Sequence, residues 1–223
     1  MIKAVFFDWV GTLSHPEPDR DENIHNAARE MGFELPLDNL LVGVLRADNQ
    51  VPEGAPPCWR EGAPEEPFLR WWKVLLDEVG VKLSGRKMLG ITEIVGKRIR
   101  ALSWVLYDDV IPVVEQLKQR GLILGLISAH YIGRAGMEPY LDVVVTAKDA
   151  GADKPEPPIF MAAVERAAVD AKEVLFIGDQ YERDIVGARR VGINAVLIDR
   201  YDLFPGITDC PRIKALNQVF DYL

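Results

Sequence analysis

IKAVFFDWVGTL (residues 2–13) begins with a run in which only Lys3 is polar and ends on an acid, Asp8, followed by Gly11-Thr12. Such a run, without alternation of polar and apolar residues, reads as a strand buried on both faces. A carboxylate at its end and a glycine three residues on predict a sharp turn at the edge of a sheet. The same kind of run recurs at LILGLI (122–127), VVV (143–145), VLFI (174–177) and AVLI (195–198).

Helical patterns separate these runs. Val110, Val113, Val114 and Leu117 form one apolar stripe, with Pro112 near its start and Gly121 as a stop. Ile159, Phe160, Ala163, Val164 and Ala167 form a second, and Ile185 and Ala188 belong to a third helix ended by Gly192. This alternation predicts an α/β fold, a doubly wound parallel sheet with helices on both faces. Residues 15–103 break the rhythm. They show no strand pattern but carry helical signals, as in PFLRWWKVLLDEVG (67–80), and a loop with five prolines between residues 48 and 67. The expected organisation is a core domain of residues 1–14 and 104–223 with a helical domain of residues 15–103 inserted after the first strand.

The 223 residues are 48% hydrophobic and 27% charged, with a net charge of -8 and a pI near 5.0. That balance argues against nucleic acid as a partner, which requires a concentrated basic face. The apolar runs fall far short of the roughly 20 residues needed to span a bilayer, and a core strand at the N-terminus leaves no place for a signal peptide. Cys58 and Cys210 stand in no ligand-like spacing. A cytoplasmic protein is expected.

Ligands of parallel sheets bind beyond the carboxyl ends of the strands, so the residues following each run carry the chemistry. They are Asp8, Ser128 and Gly178-Asp179, joined by Lys154 in the loop before the second striped helix. In this order the chain resembles the haloacid dehalogenase-like hydrolases over nearly its whole length. FFDWVGTL (6–13) resembles the family's first motif, LISA (126–129) its second, DKPEPPIF (153–160) its third and FIGDQYERDIVGARRVG (176–192) its fourth. The insert stands where many members carry a cap domain.

The resemblance implies a Mg²⁺-dependent phosphatase acting on a small phosphorylated metabolite. Asp8 would be the nucleophile of a covalent aspartyl intermediate. Ser128 and Lys154 would neutralise charge on the phosphoryl oxygens. Asp8, Asp179 and the main-chain carbonyl of Val10 would hold the metal, with Asp184 either binding through water or orienting Lys154. Trp9, Gly11 and Thr12, through the turn's backbone N–H groups, and Ala129 in the second motif would face the substrate.

Two departures bear on the reaction. Val10 stands where the family's phosphatases carry a second Asp, the acid–base group, and Ala129 stands where Asn is common. Loss of a positioned acid costs about 10²–10⁴-fold in rate, which matters for an alkoxide leaving group and little for an acyl phosphate, an aryl phosphate or a halide. His15, just past the first motif, is the candidate surrogate acid/base. Three alternatives stay open: a 2-haloacid dehalogenase, a phosphonatase-like hydrolase and a non-catalytic binding protein. The phosphonatase branch matches Asp-Trp-x-Gly-Thr but requires a cap lysine, and residues 15–72 contain none. The dehalogenase branch works without metal, whereas the pattern Asp179…Asp184 is a metal-binding one. A pure binding module has no need of Asp8, Lys154 and Asp179 together.

Overall fold

A computed structural model describes residues 1–51, 65–98, 102–129 and 135–223. The chain folds into two compact units, one of Met1–His15 with Trp104–Leu223 and one of Pro16–Ser103. The first unit is built on a six-stranded sheet, β1 (Ala4–Phe7), β4 (Ile123–Ser128), β5 (Val143–Thr146), β6 (Val174–Gly178), β7 (Asn194–Ile198) and β8 (Arg212–Ile213). Its order is β5-β4-β1-β6-β7-β8, with every pair parallel. The chain winds outward from β1 through β4 to β5, then returns across β1 to build β6, β7 and β8. The strand order therefore reverses at β1, and a crevice at the carboxyl ends of the strands follows from that reversal.

Alternation along β1 explains how both faces are buried. Val5 and Phe7 join one core with Val110, Val113, Val114 and Leu117 of helix α5 (Val110–Gln119). Ala4 and Phe6 point the other way, into a core with Ile159, Phe160 and Ala163 of α7 (Pro157–Ala167). All four β1 side chains are fully buried, as the unbroken apolar run requires.

Three strands escape the sequence pattern. β2 (Ser14–Glu17) and β3 (Ser103–Leu106) form a separate two-stranded ribbon, where residues 15–103 were expected to hold no strand. Ser-His-Pro-Glu has no strand propensity, and its Pro16 is tolerated because a two-stranded ribbon consists only of edges. β8 has two residues, too few for any periodicity. The expected helix after β6 also differs: a π-helical turn, Tyr181–Val186, precedes the short α8 (Gly187–Arg190). Between β5 and α7 lies one further turn of helix, α6 (Ala147–Ala150).

The second unit contains four helices among the described residues, α1 (Arg20–Glu30), α2 (Leu40–Gln50), α3 (Glu65–Val79) and α4 (Gly85–Arg98). Trp71 and Trp72 are fully buried in its core with Leu40, Val44, Leu75 and Ile91. The indole N–H of Trp71 donates to Asp48 at 2.8 Å, and Asp48 also binds Arg20. Cys58, Trp59 and Arg60 lie outside the described residues. No helix among the described residues is long and apolar enough to cross a membrane.

Close packing at the centre of the sheet yields a stability test. A Cβ added at Gly125 of β4 would sit 2.3 Å from the ring of Phe6, which has core on all sides. Gly125→Ala is expected to destabilise the protein by about 1–3 kcal/mol through overpacking, measured as a lower urea midpoint with an unchanged m-value.

Candidate active site

β4, β1 and β6 lie side by side, with Phe7 in register with Leu126 on one flank and Ile177 on the other. Asp8, Ser128 and Asp179 consequently leave three adjacent strands at the same edge. The Asp8 backbone N–H donates to the carbonyl of Ile177 at 2.9 Å, extending the β1–β6 ladder by one residue and fixing where its side chain starts. Ser128 is buried, and Ala129 is half-buried beyond it.

Lys154 reaches this edge from the loop before α7. Its backbone N–H donates to Asp153 Oδ1 at 2.7 Å, and Pro157 opens the helix three residues later. The ammonium is buried, and donates to Asp8 Oδ1 at 2.5 Å and to Asp184 Oδ1 at 2.6 Å. Of the two roles expected for Asp184, the contact with Lys154 is the one seen directly. The wide turn after β6 brings it there. The Asp184 N–H donates to Gln180 O at 2.8 Å, and its Oδ2 accepts the Gln180 N–H at 3.0 Å. Asp184 is also pressed against Gly178, where an added Cβ would meet its Cγ at 2.4 Å.

Oxygens of Asp8, Asp179 and Asp184 lie within 4.8 Å of one another. Three carboxylates crowd one ammonium here, and burial with their mutual repulsion favours the protonated form of two of them. Burial pushes the Asp8 carboxyl up to about 6, against the opposing pull of Lys154. Desolvation, then the charges of Asp8 and Asp184, hold Asp179 well above the usual carboxylate range. Burial works to lower the pKa of Lys154, but the two carboxylates it binds outweigh that and raise it, so its ammonium stays charged.

The turn after Asp8 differs in part from expectation. Gly11 adopts φ +86°, and a Cβ there would fall 2.4 Å from Asp179 Oδ2, so glycine is required twice over. Its N–H, however, donates to Ser14 O at 2.8 Å, while those of Leu13 and Ser14 donate to Trp9 O. These groups hold the turn together and are not turned to a substrate. Trp9 has its side chain fully buried in the core, and only its backbone serves the edge. Thr12 is buried too, and its hydroxyl donates to Asp179 Oδ1 at 3.4 Å. Val10 is more than one-third exposed. His15 is half-buried, with its ring 4.9 Å from that of Tyr107. His130 lies outside the described residues.

Comparison with known proteins agrees with this architecture. The haloacid dehalogenase-like hydrolase family model matches residues 2–192. The chain belongs to that family. Among relatives, a glyceraldehyde 3-phosphate phosphatase of Methanopyrus kandleri is 28% identical over 207 residues, covering 90% of this chain and 85% of that one. A predicted phosphoglycolate phosphatase from Haemophilus somnus superposes with a TM-score of 0.64 at 17% identity, over 99% of this chain and 97% of the other. A 2-haloacid dehalogenase from Pseudomonas syringae gives 0.57 at 24% identity, over the same shares. At these identities the two solved structures speak for the fold alone. As a member of this family the chain is a hydrolase.

Arg200, which donates to Thr12 O of the turn, and Asp109, which holds Arg200, had no signal in the motifs. Arg200 follows β7 at the same sheet edge, and inspection of every strand end, including AVLI, would have found it.

Removal of the Lys154 ammonium has a direct consequence. Lys154→Met leaves Asp8 and Asp184 buried without the ammonium that both bind, and a loss of about 3–5 kcal/mol in unfolding free energy is expected at pH 8 in EDTA. Denaturant titration of the variant beside the parent measures it.

Proposed function

We propose that the protein is a Mg²⁺-dependent phosphatase of a small phosphorylated metabolite, with Asp8 as nucleophile. The observation that carries this reading is the buried Asp8 carboxylate, hydrogen-bonded by Lys154 at 2.5 Å with Asp179 and Asp184 beside it. The 28% identical relative, named a glyceraldehyde 3-phosphate phosphatase, supports a small phosphorylated substrate. In the same reading the helical unit is the cap domain.

The donor set fits a divalent cation. All its ligand atoms are oxygens, as Mg²⁺ prefers, and a divalent cation would offset the mutual repulsion of the clustered carboxylates. Asp8, Asp179 and the Val10 carbonyl would hold it, with Asp184 anchoring Lys154. When bound, it would neutralise charge on the phosphoryl oxygens and bring the substrate to Asp8.

The residues of the chain supply the rest. The Asp8 oxygen not bound by Lys154 forms a bond to phosphorus as the bond to the leaving oxygen breaks, giving an aspartyl phosphate and the released alcohol or acid. Lys154 holds Asp8 ionised and oriented, and faces the developing charge. The Ser128 hydroxyl donates to a phosphoryl oxygen. Water then attacks the phosphorus, phosphate leaves and the Asp8 carboxylate is restored. Val10 can donate no proton in the first step, so acyl and aryl phosphates are favoured over alkyl phosphates. His15 is the one imidazole among the described residues close in sequence to this turn, and it is the surrogate donor in this scheme.

Two sets of measurements test the reading. With Mg²⁺, p-nitrophenyl phosphate and acetyl phosphate are expected to be hydrolysed, and Asp8→Asn to abolish turnover. Absence of Asp8-dependent turnover on these, on a 2-haloacid and on phosphonoacetaldehyde would remove the enzyme reading, and dehalogenation that persists in EDTA would replace the phosphatase one. Val10→Asp is expected to raise turnover of an alkyl phosphate by at least about tenfold, and His15→Ala to lower it in the parent. An unchanged alkyl rate in both variants contradicts the role assigned to position 10.

A further inference from the structure

Thr12 is held from two sides. Its hydroxyl reaches Asp179, and its carbonyl accepts a hydrogen bond from Arg200 Nη2 at 2.8 Å. Arg200 also grips Asp109 with both terminal nitrogens, each at 3.0 Å. Asp109 is fixed in turn by the Leu216 N–H at 2.7 Å. The guanidinium carbon lies 3.9 Å from the ring centre of Tyr107, whose own N–H donates to Leu13 O at 3.1 Å. Only 10% of the Arg200 side chain is exposed.

The backbone bonds from Gly11 to Ser14 and from Leu13 and Ser14 to Trp9 set the shape of the turn, but they do not anchor it to the rest of the unit. Arg200 does so, beside the Thr12 hydroxyl on Asp179 and the Tyr107 N–H on Leu13 O, and it is the one of the three that reaches a further carboxylate. It ties Thr12 to Asp109, and through Asp109 to the C-terminal segment. We propose that Arg200 is a positioning residue for the hydrolytic reaction. It acts through Thr12, holding the turn that carries Val10 against Asp179 and Asp8. The proposal rests on the reading of Asp8 and Asp179 as the hydrolytic site.

Arginine suits this place and lysine does not. Three hydrogen bonds leave one plane, two to Asp109 and one to Thr12, while the flat face lies on Tyr107. A lysine preserves the charge and a single contact with Asp109, but cannot make all of these together. Arg200→Lys therefore separates position from charge.

The test uses the 223-residue protein with p-nitrophenyl phosphate and Mg²⁺, at a temperature well below unfolding. In Arg200→Lys, kcat is expected to fall about 10- to 100-fold, as for other residues that orient a metal or catalytic ligand, with KM changing less than about threefold. Amide exchange at Leu13 and Ser14, both hydrogen-bonded within the turn, is expected to quicken about tenfold while β1 and β6 amides keep their rates. In Arg200→Ala, added guanidinium ion is expected to restore part of kcat. Wild-type kcat and wild-type turn exchange in Arg200→Lys would overturn the proposal. So would equal acceleration of exchange in β1 and the turn, which marks a general structural role. If the parent shows no Asp8-dependent turnover, the phosphatase reading fails while turn exchange still decides whether Arg200 anchors the turn.

Discussion

One buried ammonium meets two buried carboxylates at the reversal point of the sheet, and a third carboxylate lies within reach of both. Burying such a group is unfavourable unless charge and hydrogen bonding are satisfied together. Lys154 meets that condition by donating to Asp8 and Asp184 at once. The arrangement constrains three separate segments. β1 must stop at Asp8, the loop before α7 must bring Lys154 back over the edge, and the chain after β6 must fold widely enough to return Asp184. Gly178 and Gly11 are the residues that permit it, each lying where a Cβ would collide with one of the acids.

The parts of the site written in contiguous residues were readable from the chain alone. The β1, β4, β5, β6 and β7 runs are apolar enough to be seen as buried strands, and a parallel sheet puts their carboxyl ends together. Asp8, Ser128 and Asp179 follow from that geometry, with Lys154 added by its place before a striped helix. What escaped notice depends on spacing across the fold. The wide turn Tyr181–Val186 has no composition of its own, and it is shaped by the Gln180–Asp184 bonds. β2 escaped because a ribbon strand carrying Pro16 has no pattern to read. Arg200 and Asp109 are 91 positions apart, and no local periodicity connects them.

The Gly11 amide serves a different purpose from the one its place in the motif suggested. Gly11 was expected to offer its N–H to a phosphate, because glycine turns commonly form anion cradles. Its N–H is instead used on Ser14, and the absence of a side chain is what matters, since it leaves room for Asp179. Likewise Thr12 serves the edge through contacts with Asp179 and Arg200. Through Gly11 and Thr12 the turn thus braces Asp179, and under the proposed reaction Lys154 and a bound cation supply positive charge facing phosphate.

That division of labour bears on Val10. The side chain at position 10 is partly exposed and takes no part in the contacts that brace Asp179. An acid there would be a matter of chemistry alone. Under the proposed reaction its absence raises the barrier for a poor leaving group by about 3–5 kcal/mol, and it leaves Asp8, Asp179 and Lys154 in place. The cost therefore falls on one class of substrate and not on the site itself. A phosphorylated compound whose leaving oxygen is already stabilised as an anion needs no proton from position 10. Under the proposed reaction, selection among substrates then begins with the leaving group at the sheet edge, before any contact with the rest of the metabolite.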